Sequence, residues 1–545
     1  MKYLCAIISV AASLFGPLMF GLTSGFTGQT IDTMQNGVTT GDGTPVAIGP
    51  DDHLWVFTNT TQGSLFGSLV NLGAMGGAIL LGGPLIERFG RKWVLLGCSP
   101  CFLLCYVWQA LAHTAWQLLF ERVLVGFVVG VESVVTPTYI GEVSPTKIRG
   151  ALGACNQLSI TIGILIAYAL GLGFRTDSGS TDPNANSQTF CQWRDVSWIY
   201  LIPSALLGIC MFFVPESPRW LAEHNRADAA RRVLLRLRGS KTVEEDPEIM
   251  AEVKAYESEA EENSKNAKDN WKETVVWSWH ALGRAKMQLF IGVILQVLQQ
   301  LSGINAVIFY QTTIFQAAGL NNKETMALAV MAVQVIVTFI ACCIMDMAGR
   351  RFLLVLGAVG MCIAAILLGV FFFEQGIVDN NIPALALFAA FLYIASFSIG
   401  VGAIPWLIMS EIFPNDVRGL ASSIATAVNW FFSWIVTMFL DDYRRAITYQ
   451  GVFWSFAFMC FVLAVFVLVF VPETKGRSFE TIQAYFDSGR IVNCECWDNY
   501  KRKHQKPVEN SEDKQVPESS IDQTEVQVSV KGSPSADQKK LDQAI

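Results

Sequence analysis

The sequence predicts an all-α membrane protein of twelve transmembrane helices in two six-helix halves, and three observations carry that prediction. Of the 545 residues, 52% are hydrophobic and 16% charged, against about 25% charged in soluble domains; the deficit argues against an ordinary soluble enzyme. The apolar residues also gather into runs of about 20, the length that crosses a bilayer core. Finally, three charged signals occur twice in the same order, as a duplicated unit requires.

The runs, in chain order, are 4–26, 63–86, 93–112, 116–141, 152–174, 196–214, 287–317, 325–345, 352–373, 383–409, 420–440 and 449–471. The first follows Met1-Lys2 and invites a signal-peptide reading. It lacks a clean small-residue cleavage pattern and precedes many further spans, so it is read as span 1. Span 4 alone holds charges well inside a run, Glu121, Arg122 and Glu132, each costing about 2.5–3.5 kcal/mol at a helix centre. The expected organisation is a first half at 1–214, a helical cytosolic linker at 215–286, a second half at 287–471 and a cytosolic tail at 472–545. Within the linker, 241–273 is charge-rich and reads as helical. The tail's 505–545 is poor in apolar residues and reads as disordered.

Loops after even-numbered spans carry Arg88, Arg91 and Lys92, then Lys147 and Arg149, then Arg350 and Arg351, then Arg418. The other loops carry few cations, such as Arg175, Arg194, Lys323, Arg444 and Arg445. By the positive-inside rule both termini are cytosolic, and the plasma membrane is the expected location. Loop 27–62 then lies outside with the glycosylation pattern Asn59-Thr60-Thr61, a weak signal by itself. The thirteen cysteines give no disulfide framework, because most fall within apolar runs; Cys191 is the one in an outside loop. Cys494 and Cys496 lie near Arg490 and 501–503, where acylation and an unmodified tail are both open, the unmodified tail favoured.

The duplication is explicit. Glu87-Arg88-Phe89-Gly90-Arg91-Lys92 is echoed by Asp346-Met347-Ala348-Gly349-Arg350-Arg351. Glu142 and Arg149 stand seven residues apart, as do Glu411 and Arg418. Pro215-Glu216-Ser217-Pro218-Arg219-Trp220 is matched by Pro472-Glu473-Thr474-Lys475-Gly476-Arg477. The offsets are 259, 269 and 257 residues. Two such halves fit a carrier that rocks about a midplane site. Arg91, Glu142 and Arg149, with Arg350, Glu411 and Arg418, are expected to close and release the inner mouth through charge-assisted bonds; the alternative is that they anchor helix ends at the headgroups.

These motifs, with GlnGlnLeuSerGlyIleAsn at 299–305, resemble those of the sugar porter family of the major facilitator superfamily over about residues 10 to 485. The resemblance implies the major facilitator fold and transport of a sugar by alternating access.

A sugar offers hydroxyls that donate and accept, so its site needs neutral amides and aromatic faces rather than full charges. Span 7 holds the richest amide cluster: Gln296, Gln299, Gln300 and Asn305. The three glutamines share one face with Gly303. Asn305 lies about 140° from Gln300 on a regular helix, so both face one cavity only if the helix breaks near Ser302-Gly303. That break would let the segment with Phe309 and Tyr310 bend as an outer gate. By resemblance, Gln157, Gln334, Trp406 and Asn429 also match sugar-contacting positions. For any single one, interhelical bonding or packing is the commoner role; for the set, a binding site is favoured.

The resemblance implies an Asp in span 1 for proton-driven carriers, paired with the span 4 arginine. Here the segment reads Phe20-Gly21-Leu22-Thr23, and a threonine exchanges no proton near neutral pH; facilitated diffusion of a hexose such as glucose is therefore expected. Arg122 then needs another partner, Glu121 being one candidate. Glu132 leaves two readings open: a proton site working with Arg122, or, favoured, a carboxyl facing a hydrated cavity or bonded to a neighbouring helix. Proton-coupled sugar or polyol symport and a transporter-like sugar receptor stand as alternatives. No metal cluster, cofactor motif, nucleic-acid signal or activated nucleophile stands out, so an enzyme ranks lowest. Gln334 and Ile404-Pro405-Trp406 also resemble hexose carriers of intracellular type and insect trehalose facilitators, which leaves a disaccharide open.

Overall fold

The computed structural model describes residues 3–36, 57, 60–145, 148–177, 189–224, 226–240, 249–250, 253–254, 282–283, 285–319, 322–375, 383–414, 417–475 and 479–487. They belong to one unit, Met1–Asn493; a second, Cys494–Ile545, lies outside the described residues. Asn59, Cys494, Cys496 and nearly all of the expected 241–273 helix are likewise outside them.

In the first half, helices α1 (Leu4–Ser13) and α2 (Phe15–Asn36) make span 1, and α3 (Thr60–Gly76), a π-helical turn at Gly77–Gly82 and α4 (Gly83–Phe89) make span 2. Then come α5 (Arg91–Leu111), α6 (Ala115–Val143) and α7 (Arg149–Gly173). A short antiparallel ribbon, β1 (Arg175–Asp177) with β2 (Thr189–Cys191), leads to α8 (Trp193–Ile199) and α9 (Leu201–Phe213). This ribbon is the one departure from an all-helical reading among the described residues. Helices α10 (Pro218–Glu223) and α11 (Ala227–Arg238) follow, the latter stopped by Gly239 in the left-handed region.

The second half runs through α12 (Lys286–Leu301), α13 (Ile304–Ala317), α14 (Lys323–Ala348), α15 (Arg350–Gln375) and α16 (Pro383–Ser396). A second π turn, Phe397–Val401, precedes α17 (Ile404–Ile412), α18 (Arg418–Met438), α19 (Leu440–Phe470) and α20 (Phe479–Asp487). Helix α19 is kinked at Thr448, where φ is 65°.

Among the described residues, eleven segments are long and apolar enough to cross a membrane. The remaining crossing helix is α6, whose 29 residues are ample in length but whose charges depress its hydropathy. It starts at a capping box, Thr114 Oγ1 accepting from the Gln117 backbone N–H while the Gln117 side chain accepts from Thr114 N–H.

Apolar side chains collect into two large cores, one mainly from α1–α9 and one mainly from α12–α19. Trp430 of α18 joins the first, and Ile164 and Tyr168 of α7 join the second. Small residues bring backbones together inside the first half. A Cβ on Gly21 of α2 would collide with Ile160 O of α7, and one on Gly130 of α6 with Ala74 O of α3. Such approaches are the packing mode of membrane helices.

Candidate functional site

Span 7 is broken where the amide spacing requires it. Helix α12 stops at Leu301, and α13 begins at Ile304 after Gly303, whose φ is +88°. Glycine alone takes that conformation readily. Any Cβ at 303 would lie 2.7 Å from Phe456 Cγ, so space as well as conformation selects Gly. Tyr393 donates to the freed Ser302 carbonyl.

The break turns Asn305 back toward Gln300, and Asn305 Nδ2 donates to Gln300 Oε1 at 2.8 Å and to Ser433 Oγ at 2.7 Å. Asn429 of α18 is the hub. Its Nδ2 donates to Gln296 Oε1 at 2.7 Å and Gln299 Oε1 at 3.0 Å, and its Oδ1 accepts from Gln300 Nε2 at 3.1 Å. Gln299 Nε2 donates to Val401 O at 2.7 Å. That carbonyl belongs to the second π turn, whose wide winding leaves backbone acceptors free for side chains. Each of Gln296, Gln299, Gln300 and Asn429 is at most 5% exposed.

The other expected residues lie on α7, α13, α14 and α17. Gln334 of α14 is buried, and neither its amide nitrogen nor its oxygen has a hydrogen-bond partner. Gln157 of α7 and Trp406 of α17 are half-buried, and their helices pack on one another. Phe309 is buried, while Tyr310 breaks α13 with φ −114° and ψ 18° and brings its hydroxyl 3.5 Å from Thr437 O. Ser433 was not singled out by sequence reasoning, although it lies one helical turn from Asn429 on the same face. Gln296 was noted for its face, but not as a partner of Asn429.

At the far end of the bundle, away from the repeated arginine signals, the halves are tied together. Asn71 Nδ2 donates to Thr437 Oγ1 at 3.0 Å, Tyr168 Oη to Ile308 O at 2.7 Å, and Thr312 Oγ1 to Gly28 O at 3.2 Å. Nearer the middle, Trp430 stacks edge-on with Phe20 at 5.2 Å and donates to Ser133 Oγ.

At the arginine end the three duplicated signals converge on one node in each half. In the first, Glu216 accepts from the N–H groups of Arg91 and Lys92 at 3.0 Å, capping α5 at its positive dipole end, and Arg91 pairs with Glu142 at 2.8 Å. In the second, Glu473 accepts from the N–H groups of Arg350 and Arg351 at α15, and Arg350 reaches Glu411 at 3.4 Å. Gly90 and Gly349 take the same positive φ, 89° and 94°, and both lie against these carboxylates. Burial pushes the Glu216 carboxyl up from its usual range, opposed by the Lys92, Ser217 and Arg91 N–H groups. The pairs therefore lie within halves rather than between them. Arg149 is exposed, and Arg418 donates to Phe413 O in its own half.

Arg122 and Glu121, both fully buried, approach to 3.7 Å. Arg122 also donates to Thr23 O and lies over the rings of Phe26 and Phe66, 4.9 and 4.1 Å from their centroids. Thr23 itself bonds Tyr106 Oη. Glu132 is 1% exposed and packs against Gly16 of span 1. No His, Cys, Asp and Glu group suited to a metal occurs among the described residues.

Twelve crossing helices in two matched halves, tied together at one end and carrying a buried network of neutral amides, are the architecture of a carrier of the major facilitator type. The chain belongs to the sugar transporter family: the description "Sugar (and other) transporter" matches residues 8–486. It is 36% identical to Sugar transporter ERD6-like 6 of Arabidopsis thaliana over 477 residues, covering 86% of this chain and 88% of that one. It is 33% identical to Solute carrier family 2, facilitated glucose transporter member 8, of Mus musculus, covering 88% and 94%. With Facilitated trehalose transporter Tret1 of Culex quinquefasciatus it shares 34% identity, covering 88% and 86%. Among solved structures, the proton:xylose symporter XylE bound to 6-bromo-6-deoxy-D-glucose superposes with a TM-score of 0.71 at 25% identity, over 89% of this chain and all of that one.

Proposed function

We propose that this protein carries a hexose such as glucose down its gradient by alternating access, in the plasma membrane, with the arginine end in the cytosol. The observation that carries the reading is the amide network on Asn429: Gln296, Gln299, Gln300 and Asn305 offer donors and acceptors without a full charge, which suits sugar hydroxyls. Gln157, Gln334 and Trp406 complete the contact set, Trp406 lying against a sugar face. Phe309 and Tyr310 act as the outer gate. Arg91, Glu142 and Arg149, with Arg350, Glu411 and Arg418, hold the inner loops in place as each half rocks. The expected partners are the sugar and the bilayer.

Uniport follows from Thr23, which holds a hydroxyl where a coupling carboxylate would stand. Relatives whose names say facilitated glucose and trehalose transport support the reading. One observation favours a second, proton-coupled reading: the buried Glu132 carboxyl, with Oε1 unpartnered and Arg122 on the same helix. The test is labelled glucose uptake into proteoliposomes. Uniport predicts equilibration without concentration, insensitive to an imposed pH gradient and to Glu132→Gln; gradient-driven accumulation abolished by Glu132→Gln selects symport. Absence of flux with retained sugar binding selects a receptor.

A further inference from the structure

A cleft of about 430 Å³ separates α13 from α19 in the second half. Its α19 wall is the stripe Tyr449, Val452, Phe453 and Phe456, one helical face at spacings of three, four and seven. Facing it on α13 are Ala306, Val307, Tyr310 and Ile314. Each stripe runs about 10–12 Å along its helix axis. The α19 wall is rigid, because Phe372 of α15 stacks on Tyr449 at 4.8 Å and on Phe453 at 5.6 Å. The α13 wall is jointed: it starts at Gly303, against which Phe456 packs, and bends again at Tyr310.

Charge is confined to the rim of the cleft at the far end of the bundle. The kink at Thr448 brings Asp441 and Arg444, from the leading turns of α19, onto the cleft lined by the rest of that helix. Arg444 Nη2 pairs with Asp441 Oδ1 at 3.1 Å, and its guanidinium lies over the Tyr449 ring, 5.1 Å from the centroid. The two charged side chains stay 35% and 30% exposed. The run Asp441-Asp442-Tyr443-Arg444-Arg445 holds two acids and two arginines, and Phe439 and Tyr443 beside it are exposed, as aromatic residues are at a membrane–water interface. Balanced charges at headgroup depth above an apolar slot match a zwitterionic head with an acyl tail, the phosphate meeting Arg444 and the ammonium Asp441. A sugar would leave hydroxyls unpaired against Val452, Phe453 and Phe456, and a simple ion of either sign gains little from a rim of no net charge.

We propose that this cleft binds a zwitterionic phospholipid with a primary ammonium, such as phosphatidylethanolamine, from the leaflet at the far end, its head on Asp441 and Arg444 and one acyl chain between α13 and α19. The effect on transport rests on the alternating-access reading. For the far mouth to open, α13 must part from α2 and α7, breaking the bonds from Thr312 Oγ1 to Gly28 O and from Tyr168 Oη to Ile308 O. The cleft is the space behind α13 into which it retreats. An acyl chain there props α13 against the first half, keeps the mouth closed and slows flux.

The test takes two readouts on purified full-length protein: retention of added phosphatidylethanolamine against phosphatidylcholine, by native mass spectrometry, and labelled glucose flux in proteoliposomes of phosphatidylcholine alone or mixed equally with phosphatidylethanolamine. The wild type should retain phosphatidylethanolamine preferentially, and its flux should fall about three-fold or more in the mixture. Asp441→Asn/Arg444→Gln should lose the preference and the lipid sensitivity while keeping wild-type flux in phosphatidylcholine; Arg444→Gln alone carries the test if the double variant does not fold. Val452→Trp, which fills the slot, should retain neither lipid selectively and should be slow in both vesicles. Equal retention of the two lipids by the wild type, unchanged or faster flux in the mixture, or the same slowing in the rim variants, the mark of a bulk bilayer effect, overturns the site. Selective retention that the rim variants abolish, with no glucose flux in either vesicle, would overturn hexose carriage and leave the lipid site standing.

Discussion

Gly303→Ala tests the broken helix at the centre of the carrier. The substitution adds one methyl group where φ is +88°. A left-handed conformation costs a residue with a Cβ about 1–2 kcal/mol. The new methyl also meets the Phe456 ring, 2.7 Å from Cγ and closer to two ring carbons; overpacking of this kind costs about 1–3 kcal/mol. The sum is about 2–5 kcal/mol, roughly a 30- to 4,000-fold change in the folded-to-unfolded ratio. Phe456→Leu separates the two contributions, because it opens space for the methyl and leaves the backbone unchanged. Unfolding by dodecyl sulfate in mixed micelles, measured for the wild type, both single variants and the double variant, gives the coupling directly. The double variant should retain a deficit of only about 1–2 kcal/mol from backbone conformation, relative to Phe456→Leu. An unperturbed Gly303→Ala would refute the account of the break, and zero coupling with Phe456→Leu would refute its steric part.

Three further expectations concern the interior and the charged nodes. Asn429→Ala removes the group that joins three glutamines and should weaken glucose binding by about 1–3 kcal/mol, read by isothermal titration; unchanged affinity removes the network from the site. Arg122→Leu strands the buried Glu121 carboxyl and should destabilise the protein by about 3–5 kcal/mol. Adding Glu121→Gln should restore much of that loss in thermal melts, and no restoration would mean that the pair is not the source of the deficit. Glu142→Gln weakens the acceptor of both Arg91 and Ser217 Oγ and should cost about 1–2 kcal/mol, with Glu411→Gln giving a similar effect because the second half repeats the node; a much larger loss in only one half would argue against equivalent roles.

The span count and the helix break were legible because each follows from a constraint that acts locally. Apolar length sets where a helix can cross, and the angle between Gln300 and Asn305 on an unbroken helix forces the interruption at Gly303. The convergence of Glu216, Arg91 and Glu142 was only half legible. Their repetition marked them as a set, but spacing along the chain does not say whether a pair closes within a half or across the mouth. The π turns at Gly77–Gly82 and Phe397–Val401 left no readable signal, since both sit within apolar runs that fit a regular helix equally well. Nor did Phe26 and Phe66, which flank Arg122 from two other spans, because that contact depends on tertiary packing.

Helix α6 has a consequence for how the protein is made. With Glu121, Arg122 and Glu132 along its length, it enters hydrocarbon poorly as an isolated segment, at an added cost of about 7.5–10.5 kcal/mol for three charges at the helix-centre value. The rings that shelter Arg122 belong to α2 and α3, which leave the ribosome earlier. Partition of the fourth segment out of the translocon is thus assisted by helices already in the bilayer, so order of synthesis supplies what its own hydropathy lacks. Truncated chains beginning at α5 should fail to integrate α6, whereas chains that include the first two spans should integrate it.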